Sequence, residues 1–333
     1  MFGLILLLAL SVVLFAMQMT MGSVSIPIGV IADILQGHGT GDANEVIVLE
    51  SRLPRALTSI LASIALSLSG WMMQTLFRNP LAGPSILGIS GGASLGVALL
   101  IMVSAIGGYS SFQSTWGTLS IAGAAILGSL GVMALLLLVS GKFKDHISLL
   151  IFGIMLGHFV GAIESILQFK TTEAALRSYI LWGMGSYGNT NIQEIILILC
   201  ILLPAAAVIF LKKEILNILL MGDEFAKSLG VDTRQQRRLL IFLSGTLAAI
   251  VTAYCGPIAF IGLAVPHFAR MILKTSHHGK LFFYVILLGA MVGQVSDLLA
   301  HQLEIPLNAI TSAFGAPVVV AILLAQSKKN YYF

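Results

Sequence analysis

Residues 70–93 read GWMMQTLFRNPLAGPSILGISGGA. Two apolar segments flank a charged, proline-broken hinge, Arg78-Asn79-Pro80-Leu81-Ala82-Gly83-Pro84. Prolines at 80 and 84 lack a backbone N–H and disfavour helix in the residue before them, so the upstream helix stops here. Glycines at 88, 92 and 96 follow at four-residue spacing. That spacing lets a second helix backbone approach closely.

The surrounding chain fixes the solvent. Hydrophobic residues make up 57% of the 333 and charged residues only 10%, against about 25% charged in a soluble domain. Such a pool cannot build a water-facing surface, so the chain is a polytopic membrane protein. The net charge of +4 points to basic cytoplasmic loops and not to nucleic acid. Cys200 and Cys255 lie in apolar runs and read as small hydrophobes, with no disulfide framework and no metal site. Residues 1–21 lack a basic leader and a clear cleavage site, so they are expected to stay as the first span.

A span needs about 20 apolar residues. Ten candidates fall near 3–21, 54–77, 86–106, 116–140, 147–168, 192–211, 238–255, 258–273, 281–300 and 307–325. With both termini in the cytoplasm, fourteen of the eighteen Lys and Arg lie inside. The outer four are Arg52, Arg55, Lys170 and Arg177. This bias orients the chain and supports an even number of spans. The whole chain, 1–333, reads as one all-α transmembrane domain. Outer segments are expected at 22–53, with a turn-rich patch at 36–41, and at 170–191. The longest inner segment is 212–237. A short echo, GPSILG at 83–88 and GPIAFIG at 256–262, fits the matched helix breaks of transporter repeats.

No phosphate loop, HExxH or dinucleotide fingerprint occurs. ATP hydrolysis by this chain is therefore not expected, and energy must come from a partner or an ion gradient.

The 70–93 stretch resembles the permease subunits of the FecCD family, which import iron chelates, haem and cobalamin with an ATPase partner. Three further motifs agree, in the family's order. Arg52-Leu53-Pro54-Arg55 resembles its outer RLPR motif. The run from Leu220 to Val231 resembles its coupling helices. Residues 256–270, GPIAFIGLAVPHFAR, are similar to GxIxFIGLxxPHxxR. The resemblance implies a type II ABC importer permease of about ten helices in the bacterial inner membrane. It implies a second permease copy (a homodimer, or a paralogue) and two copies of an ATPase that uses ATP and Mg, with no cofactor on this chain. It also implies an extracytoplasmic substrate-binding protein.

Site residues follow from the same likeness, each beside a plainer reading. Gly222 and Gly230 bound a short helix carrying Asp223, Glu224, Phe225, Ala226 and Leu229. An apolar stripe there can seat in a groove on a soluble ATPase, or lie flat on lipid. Arg52 and Arg55 make a fork for carboxylates of the binding protein, or snorkel to anchor a helix start. Where the family tends to carry a third arginine, this chain has His301, which would dock more tightly toward pH 6 if it served as a cation. Asp297 and His301 are also spaced for a local pair. Asn79, Leu81, His146 and Ile147 would form the cytoplasmic gate by resemblance, Leu and Ile making a dewetted seal. Gly153, Gly157, His158, Gly161 and Glu164 on the fifth span would line the pathway. An ionisable group in a span is a functional candidate, although Glu164 also suits a helix end. His267 and Arg270 read first as structural. Trp182 to Ser186 matches a WxxGS segment at the outer mouth.

Two other classes compete. An ion-gradient-driven secondary transporter would have to couple through Glu164 and Asp297. An intramembrane serine protease would use Ser90, within Gly88-Ile89-Ser90-Gly91-Gly92, with His158 or His267 as base. Iron-siderophore leads among cargoes as the family's commonest class, with haem, cobalamin and oxyanions open.

Overall fold

A computed structural model describes residues 2–22, 24–39, 41–106, 115–143 and 145–328. Ser23, Thr40 of the turn patch, and the inner cations Lys144 and Lys329 lie outside them. Every regular element among the described residues is a helix.

In chain order these are α1 (Phe2–Thr20), α2 (Ile28–Leu35) and α3 (Ala43–Val46), which runs through a π-helical turn (Ile47–Arg52) into α4 (Leu53–Phe77). Then come α5 (Ile89–Ile106), α6 (Thr115–Ser140), α7 (His146–Lys170), α8 (Glu173–Gly183) and α9 (Ile192–Leu211). Next are α10 (Lys213–Leu220), α11 (Asp223–Ser228), α12 (Thr233–Cys255), α13 (Ile261–Leu273), α14 (His278–Gln302) and α15 (Leu307–Lys328). Among the described residues seven helices are long and apolar enough to cross a membrane, and α5, α13 and α15 carry shorter apolar stretches. Together they account for the ten expected spans.

Three expectations shift. The outer segment at 22–53 is largely helical, and its last part is continuous with α4. The spans expected at 86–106 and 258–273 begin three residues later, at Ile89 and Ile261. Each follows a backbone break: Gly88 has φ 76°, Gly256 φ 72° and Phe260 φ 66°. These are the two echoed segments, and both precede a short helix.

α4 is the axis of the fold. It packs against α14, α12, α13 and α9, and nearly all its residues from Ala62 onward are buried. The strip it turns to α14 and α13 is small: Ser59, Ser63 and Ser67 lie against Gly289 and Gly293, and Gly70 against Gly262. Without hydrophobic drive between helices in lipid, close backbone approach supplies the packing energy. A Cβ on Gly70 would strike the carbonyl of Gly262 in α13, and one on Gly92 would sit 2.5 Å from the Gly128 carbonyl in α6. Buried hydroxyls are paired between segments distant in sequence. Ser63 Oγ lies 2.8 Å from the Tyr187 hydroxyl and Ser69 Oγ 2.7 Å from Ser244 Oγ. α1 joins through Gln18 Nε2, which donates to Asp297 Oδ2 at 2.8 Å and Ser59 Oγ at 3.1 Å.

Candidate coupling site and gate

The cytoplasmic elbow contains two short helices where sequence suggested one. Gly222 separates α10 from α11 at φ 118°, and Gly230 closes α11 at φ 79°. Residues with a Cβ rarely adopt either conformation. The expected apolar stripe is split accordingly. Leu216, Leu219 and Ala226 face the protein core, while Met221, Phe225 and Leu229 are 68%, 43% and 55% exposed. Ala226 is thus an inward packing residue and not part of a docking face. Glu224 and Lys227 are exposed beside the outward apolar residues.

Asp223, the first residue of α11, gathers two arginines and an imidazole from three directions. Its Oδ1 accepts from Arg78 Nη2 at 2.8 Å and lies 2.8 Å from His146 Nε2. Its Oδ2 accepts from Arg237 Nη2 at 3.4 Å. Burial opposes the charged carboxylate. The His146 hydrogen bond and charge, with Arg78 and Arg237, outweigh it and hold the Asp223 pKa below its ordinary 3.8. Arg78 is the left-handed cap of α4, φ 46°. Arg237 Nη1 also donates to the carbonyls of Ser140 and Phe143 at 3.2 and 3.0 Å, beyond the end of α6. One carboxylate therefore ties the elbow to the ends of α4, α6, α7 and α12. Sequence reading placed Asp223 on the coupling helix without signalling this role. Its partners lie up to 145 residues away, beyond the reach of local pattern.

The gate residues are only partly as expected. His146 turns toward Asp223 and tethers α7 to α11. Asn79 Oδ1 accepts from Leu81 N at 2.9 Å, which shapes the hinge turn. Ile147 is exposed, and Leu81 is half-buried.

α7 divides similarly. Gly153 and Gly157 face Leu87 and Gly88 of the same chain, whereas Gly161 has open space around it. They are packing positions first. His158 is exposed, among Ile151, Met155 and Phe159. Glu164 is half-buried and faces the Tyr179 hydroxyl of α8.

On the outer side Arg52 corrects the fork. It is buried, and its guanidinium donates to the Met19 carbonyl at 2.6 Å, Thr20 at 3.0 Å and also Val24. It is spent on the end of α1. Arg55 remains half-exposed, with Nε donating to Asp297 Oδ1 at 2.8 Å. His301 Nδ1 lies 3.2 Å from Arg55 Nη1. A guanidinium only donates, so Nδ1 accepts and the ring is neutral in this arrangement. The local Asp297–His301 pair is replaced by one centred on Arg55. Arg270 Nη2 donates to Gln74 Oε1 at 2.5 Å, joining α13 to α4, as a structural role requires. Ser90 Oγ has no hydrogen bond to His158 or His267 among the described residues.

Residues 7–325 match the FecCD transport family. The chain belongs to the FecCD transport family. This FecCD protein is 34% identical to the hemin transport system permease protein HmuU of Yersinia pestis, covering 97% of this chain and 96% of that one. It is 33% identical to the molybdate import system permease protein MolB of Haemophilus influenzae, over 99% and 96%. A solved metal-chelate type ABC transporter in an inward-facing conformation superposes with TM-score 0.83 at 30% identity, covering 97% and 98%. The FecCD chain is thus a multi-pass inner-membrane permease subunit of an ABC importer and not an enzyme. ATP is hydrolysed by a separate ATPase, and the family implies a substrate-binding protein as a further partner.

Proposed function

We propose that this permease carries an iron chelate of the siderophore type inward, as a homodimer above two copies of the ATPase. The carrying observation is the Asp223 cluster beneath an exposed Met221–Phe225–Leu229 patch. Apolar side chains facing the cytosol call for a protein surface. The patch sits one turn from the carboxylate that holds α4 and α7. When the ATPase closes, it moves α11, and the Asp223 contacts pass that motion to the hinge and the start of α7. The second copy covers the outward α7 face, where Ile147, Ile151, Met155 and Phe159 stand exposed. The passage between copies holds Gly161, His158 and Glu164, and closes below at Leu81 and Ile147. The binding protein docks on Arg55, aimed by Asp297, with His301 beside it as a neutral neighbour.

Support for a chelate cargo comes from the haem-system relative and the metal-chelate type structure. The comparably similar molybdate relative is the reason cargo needs a direct test. Haem and cobalamin are the alternatives within the same family. Permease, ATPase and binding protein are reconstituted in liposomes, and ATP-driven uptake of ferric siderophore, haem, cobalamin and molybdate is compared. Siderophore uptake above the others supports the proposal, and molybdate uptake without chelate uptake overturns the cargo. Uptake driven by an ion gradient without ATP overturns the coupling scheme.

A further inference from the structure

Away from the coupling site, α6, α12 and the end of α9 enclose an open groove of about 630 Å³. Its lining is Lys212, Arg238, Gln235 and Gln236 together with Leu137, Leu138, Leu239 and Phe242. No acid contributes. The acids nearest in sequence are Glu214, which accepts from Asn217 Nδ2 at 3.1 Å, and Asp232, which caps the Arg234 and Gln235 amides. Neither Lys212 Nζ nor the Arg238 guanidinium has an ion-pair partner among the described residues. Arg238 Nη2 lies over Gly141, just past the end of α6, which has no side chain to fill that space.

The two chemistries are layered. Lys212 caps the cytoplasmic end of α9 and Gln235 lies in the first turn of α12, while the Arg238 guanidinium reaches the cytoplasmic end of α6 at Gly141. Phe242 lies one turn beyond Arg238 on α12, roughly 6 Å along the helix, and Leu137 and Leu138 lie within the last turn of α6. Leu138 and Phe242 are exposed, opening the groove to the bilayer.

We infer that this groove binds one anionic phospholipid of the inner leaflet, its phosphate held by Lys212 and Arg238 and its acyl chains lying on Leu137, Leu138, Leu239 and Phe242. Unpaired cations above an apolar floor at headgroup depth match an amphipathic anion. A soluble partner would leave that floor uncovered. Basic pockets between helices on the cytoplasmic side select anionic headgroups by charge. The bound lipid would join the end of α9 to the start of α12, the two helices that flank the elbow. The inference stands apart from the cargo and coupling proposals.

The test is native mass spectrometry of the delipidated full chain, titrated with phosphatidylglycerol or phosphatidylethanolamine. One phosphatidylglycerol per chain is expected to bind at least about tenfold more tightly than phosphatidylethanolamine. K212Q/R238Q should lose the preference while K212R/R238K keeps it. K274Q/K280Q removes the same charge elsewhere on the cytoplasmic side and should leave the preference intact. Equal binding of both lipids, or a preference surviving in K212Q/R238Q, overturns the inference. So does displacement by millimolar inorganic phosphate, which would mark a plain anion site. Loss of the lipid on adding the ATPase would mark a protein interface and overturn it as well.

Discussion

His146 Nε2 lies 2.8 Å from Asp223 Oδ1, so the first residue of α7 is bonded to the first residue of α11. A helix expected to border the substrate path and a helix expected to meet the ATPase are thereby coupled without a covalent link. Arg78 brings the end of α4 to the same oxygen. Motion of the elbow can therefore be rigid-body motion of three helix ends.

Replacing Asp223 should separate hydrolysis from transport. D223A leaves Arg237 its two carbonyl partners, so the fold is expected to survive with a loss of about 2 kcal/mol, between exposed and buried ion pairs. Reconstituted uptake should fall by an order of magnitude or more while ATP turnover persists. Unimpaired uptake by D223A would remove the tether from the mechanism.

The pH dependence of that tether has a definite sign. The carboxyl pKa in the folded protein is below the ordinary 3.8. Its stabilisation is then complete above the ordinary value and is lost as pH falls through the lower, folded one. The difference in apparent Tm between wild type and D223N should stay constant from pH 8 to 5 and shrink below about 4. A gap that closes between pH 7 and 5 would assign control to another group.

The outward apolar residues of the elbow predict a partner contact. F225D/L229D should abolish co-purification of the ATPase, while the purified permease remains monodisperse in size-exclusion chromatography. Substitutions at Ala226 would not test this face, because Ala226 is buried. Retained ATPase in the double variant would refute docking on this face.

The two outer arginines should respond differently. R55Q, whose amide can still donate to Asp297 Oδ1, is expected to weaken binding-protein affinity several-fold by surface titration and to lower thermal stability less than a change at Arg52. R52Q should instead lower stability, by about 2–3 kcal/mol, because buried carbonyls lose a charged donor. Affinity for the binding protein should vary little between pH 8 and 6.5 if His301 is a neutral neighbour. Loss of affinity in R52Q at full stability would restore the arginine fork.

Close helix crossings offer a further check. G70A sets a methyl group against the Gly262 carbonyl, and the backbone there cannot move aside without disturbing α13. Expression and apparent Tm should both drop, whereas G161A, at an open position, should leave Tm unchanged. Equal tolerance of the two would argue against this packing.

The sequence by itself determined the solvent, the orientation and the spans. Apolar length and Lys/Arg asymmetry are local, additive quantities, and Pro80, Pro84 and the echoed glycine segments mark breaks through backbone restrictions of a few residues. It also placed Asp223 on a cytoplasmic elbow bounded by Gly222 and Gly230. Only the tertiary structure decided which charges meet. Arg52 and Arg55 are three residues apart, yet one is turned onto the end of α1 and the other onto Asp297. The Asp223 cluster draws on Arg78, His146 and Arg237, and the groove holding Lys212 and Arg238 joins three helices. Such pairings depend on how helix ends come together in three dimensions, and no periodicity along the chain encodes that.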